Sequence, residues 1–492
     1  ILLNFDNSTL VDANSRLEYQ DVQNMLTTFA DDGAVKAMYR FVGSEQLLQN
    51  PETLNGNGLV TTSYPLYSRY DAEQFVSKLR ATYEGEQQSV TMGWVFAYVD
   101  ADPFPVAKWE SQFLTEVRDN ARRLDIVAVD NNNNVVGQLT DRGSTGYAPG
   151  WGQATAFGTT TSHSFFINEE FQVTDDLRLD GGLRYEILSL DSTASGTLFA
   201  QPVYGAFDEN GNDIDNNLAN NYVDMPSHKF YNKQSDESEF AWTLGFNYTL
   251  NDTTAFFARY ADAFEMPRLL SHGQTIHSGD NATFNETVNL TFSEFGARFS
   301  GDTVSTSATL FQTKFKDLTE RNFTGDDGAV ANQTIDTVTT GIEFEAVWQP
   351  ISDLRFDLTG VAQNPEMEGF DQNYSHWEGN QVKRTPKVQL RLTPTYYFDN
   401  GDVYLTAHYL GDRFSDGENK FELPAYMTVD AGINYHFNDH LKLHVKATNL
   451  TNEIGLTEGN PRAINDQQAG FEYYYPPPIL GRTVSAPTTP HL

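Results

Sequence analysis

Phe240-Ala-Trp242-Thr-Leu244-Gly-Phe246-Asn-Tyr248-Thr-Leu250 decides the fold. Every even position is large and apolar, and every odd one is small or polar. Side chains of a strand point alternately to opposite faces, so this segment has one greasy face and one polar face. Leu177-Arg-Leu179-Asp-Gly181-Gly-Leu183-Arg-Tyr185-Glu-Ile187 reads the same way. So do Val90 to Tyr98, Ile342 to Trp348, Val388 to Phe398 and Met427 to Phe437. The polar faces carry charge, as at Arg178, Asp180, Arg184 and Glu186, or Lys442, His444 and Lys446. A half-buried soluble sheet, in a sandwich or an adhesin, alternates too. Aromatics at the strand ends tip the balance: Tyr185, Tyr248, Tyr396, Phe398, Tyr435 and Phe437. Such girdles, around strands of about 10 residues, mark a transmembrane barrel that is apolar outside and polar inside.

The connections support the same fold. Short turns fall at Gly85-Glu86-Gln87, Thr174-Asp175-Asp176, Asn251-Asp252, Gly301-Asp302, Pro350 to Asp353, Asp399 to Asp402 and Asn438-Asp439. Between them lie the long stretches 100–160, 188–237, 263–287, 317–335, 364–385, 414–424 and 451–479. Strict short–long alternation is the habit of outer-membrane barrels, with short periplasmic turns and long extracellular loops. The fold class is therefore all-β, an antiparallel transmembrane β-barrel of outer-membrane type. In one loop, Val106, Trp109, Phe113 and Val117 recur at helical spacing and predict an amphipathic helix within 105–123. A hairpin of Leu124 to Val129 and Val135 to Leu139 follows it, completing a folded cap.

Seven tight hairpins give 14 strands, and Leu480 to Ala486 adds a last one. Val35 to Phe41 pairs with Asn24 to Ala30 across Asp31-Asp32-Gly33. About 16–17 strands are thus expected, against the even number usual for bacterial single-chain barrels. If short turns are periplasmic, the strand before Gly33 runs downward and residues 1–23 lie outside. A complete barrel begins from the periplasm, so strands are expected to be missing at the front. The barrel is read over residues 1–486, with 487–492 as a C-terminal tail.

Composition narrows the function. The chain of 492 residues holds 67 acidic and 32 basic residues, for a net charge of −35, and no cysteine. Nucleic acid is excluded as a partner, because phosphate binding needs clustered cations. Thiol catalysis, disulfides and cysteine metal sites are excluded as well. No apolar run reaches the length of a membrane helix. The chain opens on Ile1 without a starting methionine or a positive leader, so any secretion signal is expected to be already removed, or the chain is a fragment.

Several segments, in order, resemble TonB-dependent outer-membrane receptors. They are Ser164 to Glu186, Ala258-Arg259-Tyr260-Ala261-Asp262-Ala263-Phe264-Glu265-Met266-Pro267, Arg384-Thr385-Pro386-Lys387 and Leu423-Pro424-Ala425-Tyr426. Lys446-Ala447-Thr448-Asn449-Leu450-Thr451-Asn452 resembles the family's C-terminal Asn-Leu box, and Gly481-Arg482-Thr483 the turn into its closing strand. The resemblance covers most of residues 75–486. It implies a 22-stranded barrel plugged by a separate N-terminal domain, of which this chain shows the C-terminal portion. It further implies a Gram-negative outer-membrane location, membrane lipid, a plug domain and the TonB energy-coupling complex as partners, and a small-molecule nutrient as ligand. Two departures stand out. No plug-like segment is present, and Ala486-Pro-Thr-Thr-Pro-His-Leu492 replaces the family's aromatic-terminated final strand.

No catalytic motif is present, so no enzyme activity and no cofactor are expected. Glu343 and Glu345 share a strand face but read better as solvated lumen groups than as an acid–base pair. Asp208, Asn210, Asn212 and Asp215 form a weak calcium-loop candidate, with its glycine misplaced and no closing Glu; a plain acidic loop is the stronger reading. His272 and His277 near Asp280 read better as polar loop than as a metal site. Trp94, Trp242 and Trp348 fall on outward faces toward lipid. Trp109, Trp151, Tyr374, Trp377, Tyr473 and Tyr474 fall in long loops and are the candidate ligand contacts by stacking, with loop packing as the equal alternative. The expected function is uptake of a scarce nutrient, an oligosaccharide or a ferric siderophore. The glycan is slightly favoured by the loop aromatics and by the lack of a basic loop cluster. A passive porin and a non-transporting scaffold or adhesin are the alternatives.

Overall fold

The computed structural model describes residues 29–48, 60–63, 66–67, 71–101, 105–109, 113–116, 120–138, 140, 154–195, 200–202, 222–224, 230–269, 287–324, 330–370, 372, 374–438, 441–458, 478–486 and 488–490. Lys36–Phe41 (β1) and Leu47–Leu48 (β2) come first and pair antiparallel. The wall begins with Ala72–Glu84 (β3) and Gln88–Ala101 (β4). Leu124–Val129 (β5) and Val135–Gln138 (β6) lie in the next long connection. Six further wall hairpins follow. They are Ala154–Gln172 (β7) with Leu177–Ser195 (β8), and Phe230–Asn251 (β9) with Thr254–Glu265 (β10). Next come Val288–Ser300 (β11) with Val304–Thr324 (β12), and Val330–Ile351 (β13) with Leu354–Glu368 (β14). The last are Val388–Phe398 (β15) with Gly401–Leu410 (β16), and Tyr426–Asn438 (β17) with Leu441–Thr448 (β18). Thr483–Ser485 (β19) ends the series.

Six of the seven expected tight turns join these hairpins within the described residues, and Asp439 of the seventh lies outside them. Local chemistry sets them: the Gly85 N–H donates to the Gln88 carbonyl at 2.7 Å, and the Gly301 N–H to that of Val304 at 2.8 Å. At Asn251 the side-chain oxygen accepts from the Thr253 N–H at 3.0 Å, a polar turn bond that competes with continuing the strand. The ladders are antiparallel throughout, and the barrel order closes on itself. That order holds eighteen segments, three of which continue a neighbour: Leu66–Tyr67 runs on from β3, Pro105–Trp109 from β4, and Thr488–Pro490 from β19. Eighteen less three leaves fifteen wall strands among the described residues.

The register sorts the faces as the alternation demands. Trp242 meets Tyr260 diagonally at 5.2 Å, and Trp348 meets its directly opposite partner Phe356 at 5.2 Å, all on the outside. Leu244, Phe240 and Phe295 lie at least half exposed there. Inside, the Arg298 guanidinium sits 4.4 Å from the centre of the Phe257 ring. No helix among the described residues is long and apolar enough to cross a membrane.

Two expectations are corrected here. The first concerns Val35 to Phe41, expected as a wall strand. Its turn is real: the Gly33 N–H donates to the Ala30 carbonyl at 3.0 Å, with Gly33 at φ +86°. Yet β1 pairs with β5, from Lys36 opposite Val129 to Phe41 opposite Leu124, in a four-stranded sheet outside the wall. The reason is burial. Ala37, Met38 and Tyr39 are buried at consecutive positions, so both faces are covered, whereas a wall strand has one face on lipid. Without β1, fifteen wall strands stand among the described residues. Of the proposed partner strand, residues 24–28 lie outside the described residues. The second correction concerns the helix within 105–123. Pro105–Trp109 is extended on Leu66–Tyr67, and Phe113–Glu116 pairs with Val60–Ser63. Apolar spacing of three to four also fits two short strands separated by a break, and partners from the preceding segment supply the ladder. The hairpin of β5 and β6 is present where expected. Thr140 locks it, accepting the Ile126 N–H at 2.9 Å and donating to Asp125 at 3.1 Å.

Candidate functional site

A cavity of about 1120 Å³ has a lining that runs from Asp180 and Asn247, near the short turns, to Leu410, Asn449 and Leu480, near the long loops. Its lining mixes polar residues of the inner strand faces with apolar ones such as Phe257, Leu410 and Leu480. Asp180, Arg259, Glu294, Arg298, Arg391 and Asp430 give it charges of both signs. Arg259 stands 3.8 Å from Asp180 across the wall. Glu343 and Glu345 line the same space, next to the hydroxyl-bearing Ser307 and Thr309. A second cavity of about 540 Å³ shares Arg391, His408 and Asp430 with the first, and adds a threonine strip of Thr393, Thr395 and Thr406. The lumen is a wet, mixed-charge surface suited to polar contacts.

Above it, the loops of the last three hairpins knot together. Asn380 donates to the Gly417 carbonyl at 3.0 Å, and Asn419 exchanges bonds with the Gln381 backbone at 2.7 and 2.9 Å. The Arg384 N–H donates to the Phe414 carbonyl at 2.6 Å. Gln363 holds the following turn, donating through its amide to the Pro386 carbonyl at 2.9 Å. Asp416 accepts the N–H groups of Lys420 and Phe421, both at 3.0 Å. Asn449 donates to the carbonyls of Glu453 and Leu480 at 2.9 and 3.0 Å, and accepts from the Glu453 N–H at 2.8 Å. The Arg482 N–H closes the rim on the Asn452 side chain at 3.0 Å. Burial, and then the neighbouring Arg384 charge, bring the Lys383 amine down to about 8.

The candidate aromatics separate clearly. Tyr374 stacks on Trp377, with ring centres 5.0 Å apart and planes 8° apart. Phe370 meets Trp377 edge-on at 6.1 Å, and His376 lies 4.4 Å from it. Trp377 is buried, at 4% exposure, so it supports the cluster from beneath; Tyr374 is half buried and His376 exposed. The backbone of Trp109 lies in a strand, opposite Leu66. Trp151, Tyr473, Tyr474, the 208–215 segment and the His272–His277 pair lie outside the described residues. Among the described residues, no group of three or more His, Asp or Glu is placed to hold a metal ion. The loop knot itself is not visible as a periodicity. Its only traces in the sequence are short motifs at 384–387, 446–452 and 481–483, whose side chains serve as rim fasteners.

The model of a TonB dependent receptor-like β-barrel matches residues 3–450. No curated protein matches the chain. Among solved structures, the ferric yersiniabactin uptake receptor FyuA of Yersinia pestis is 15% identical, with TM-score 0.54 over 88% of this chain and 61% of that one. The copper transporter OprC is 13% identical, with TM-score 0.57 over 87% and 57%. The siderophore receptor PiuA of Acinetobacter baumannii is 14% identical, with TM-score 0.54 over 86% and 65%. The chain thus spans about three-fifths of the length of these structures, and at such identities the likeness is one of fold.

Proposed function

The chain belongs to the TonB-dependent receptor-like β-barrel family, and on that premise we propose that it is the barrel of an outer-membrane uptake receptor in a Gram-negative bacterium. It binds a scarce nutrient at the knotted loops and passes it inward with TonB-type energy coupling. The observation that carries this reading is a cavity of about 1120 Å³, lined by charged, polar and apolar residues, that reaches Asn449 and Leu480 of the fastened loop rim. Long loops on a rigid scaffold are where binding resides. The plug domain, the TonB complex and membrane lipid are its proposed partners. The names of the solved relatives support a metal chelate as cargo, while the Tyr374 ring supports a glycan. Uptake by cells with and without a protonophore tests the coupling. Uptake that is unchanged by the protonophore defeats the proposal in favour of a passive porin.

The ligand contacts proposed are Trp109, Trp151, Tyr374, Trp377, Tyr473 and Tyr474, with Trp377 acting through Tyr374. Calorimetry on the full receptor, with a transported ligand, is expected to lose about tenfold in affinity for Tyr374→Ala, about 1.4 kcal/mol. Trp377→Ala is expected to lose as much, because the Tyr374 ring then has nothing to stack on. The outward Trp242→Ala should bind as the wild type does. Wild-type affinity in both loop variants would mean that this cluster only packs its loop.

A further inference from the structure

Three cations from two separate connections, the adjacent Lys383 and Arg384 and the more distant Arg413, lie in the loop rim beside the cavity. Arg384 places its Nη1 3.6 Å from the Glu458 carboxylate. Arg413 donates from Nη2 to the carbonyls of Leu456 and Thr457, the latter at 2.9 Å. Two guanidinium groups thus converge on one three-residue stretch. Lys383 precedes Arg384, whose N–H reaches the Phe414 carbonyl, so the backbone that carries Lys383 and Arg384 runs beside the one that carries Arg413. The rim belongs to the cavity: Tyr426 lines it, and the Arg413 guanidinium lies 5.7 Å from the centre of the Tyr426 ring.

The cluster is built for an incoming anion. Arg413 is 2% exposed, yet its Nη1 is buried without a hydrogen-bond partner. A buried donor left open is costly, and a ligand oxygen would satisfy it. The Arg384–Glu458 pair is loose and largely in solvent, with the two side chains 39% and 60% exposed. Such a pair holds weakly and is readily exchanged for a competing oxyanion. The setting makes the cluster unusual, since the chain carries 67 acidic residues against 32 basic ones.

We propose that Lys383, Arg384 and Arg413 form an anion subsite at the cavity mouth that takes a carboxylate or phosphate group of the soluble ligand. The planar guanidinium forks match the two oxygens of either group. The proposal rests on the uptake reading for its ligand, but the subsite can be tested without transport. It also replaces the preference for a neutral glycan, because the basic cluster missing from any single loop is assembled from two.

The test is amine acylation of the purified protein in detergent at pH 8, where the Lys383 amine is about half neutral. Peptide mass spectrometry reads each lysine with and without excess inorganic phosphate. A bound anion raises a neighbouring amine by about one pKa unit, so acylation of Lys383 is expected to slow roughly fivefold. Lys78, on β3, should not change. Arg384→Gln and Arg413→Gln should each abolish the protection, with heat-modifiability gels verifying that the barrel is folded. Arg384 is exposed, so its variant keeps the test open if Arg413→Gln disturbs the loops. Unchanged acylation in the wild type overturns the subsite, as does protection that survives Arg384→Gln in a folded barrel. Protection seen only with added lipid A, and not with free phosphate, overturns the assignment to a soluble ligand. Protonophore-insensitive uptake would defeat the transport reading alone and leave the subsite standing.

Discussion

Leu244→Arg is expected to destabilise the folded barrel by about 2–4 kcal/mol, the cost of a cation in the hydrocarbon belt. Leu244 is 58% exposed on the outer face, between Gly181 and Tyr260 in the ladders of β8 and β10. Asp262 stands opposite Trp242 on the same face, one diagonal step from Leu244, and pairing with it sets the loss toward the lower figure. Thr243→Arg, one residue away, is expected to cost no more than about 1 kcal/mol. Thr243 points into the wet lumen and loses only its bond to the Tyr260 carbonyl, now 3.2 Å long. Heat-modifiability gels on both variants read the folded fraction. Equal loss for the two would mean that the face assignment is wrong.

That contrast depends only on period two, and period two was plain in the sequence. Each wall strand must satisfy lipid on one side and water on the other, so its residues carry the pattern individually. The turns were legible for a similar reason: Gly85, Asn251 and Gly301 have turn chemistry of their own. What failed to show was whatever depends on a distant partner. β1 alternates well enough to pass for a wall strand, and only its pairing with β5, some ninety residues on, buries both of its faces. The apolar spacing of Val106, Trp109, Phe113 and Val117 imitates a helix until the strands opposite are known.

The candidate site divides along the same line. Tyr374 and Trp377 were marked by residue type, but their difference in exposure comes from stacking within the loop. The cationic cluster could not be read from any one segment. Lys383 and Arg384 belong to the connection after β14, and Arg413 to the one after β16. The bonds between those two loops, Arg384 to Phe414 among them, bring them together.

Asn449→Ala is expected to release the long-loop rim at a cost of about 4 kcal/mol. The side chain makes three bonds, to the Glu453 carbonyl, the Glu453 N–H and the Leu480 carbonyl. At about 1 kcal/mol each these account for roughly 3 kcal/mol. The residue is 5% exposed, so the partners are not freely rehydrated when the amide is removed. Its φ is +49°, a conformation that Asn tolerates and Ala resists by about 1 kcal/mol more. Asn449→Gly separates the two contributions, because it removes the bonds and keeps the backbone freedom. The Asn449 N–H to Asp430, 2.9 Å long, survives in every variant and keeps the end of β18 in place. The loss should therefore stay local to the rim. Limited trypsin digestion at Arg482 measures it, since that residue is held through Asn452 in the same knot. Cleavage should be fastest for Asn449→Ala, intermediate for Asn449→Gly and slowest for the wild type, with the wall strands intact in all three. Equal cleavage rates for alanine and wild type would show that Asn449 does not hold the rim, and that the Asn-Leu segment is fastened by its neighbours instead.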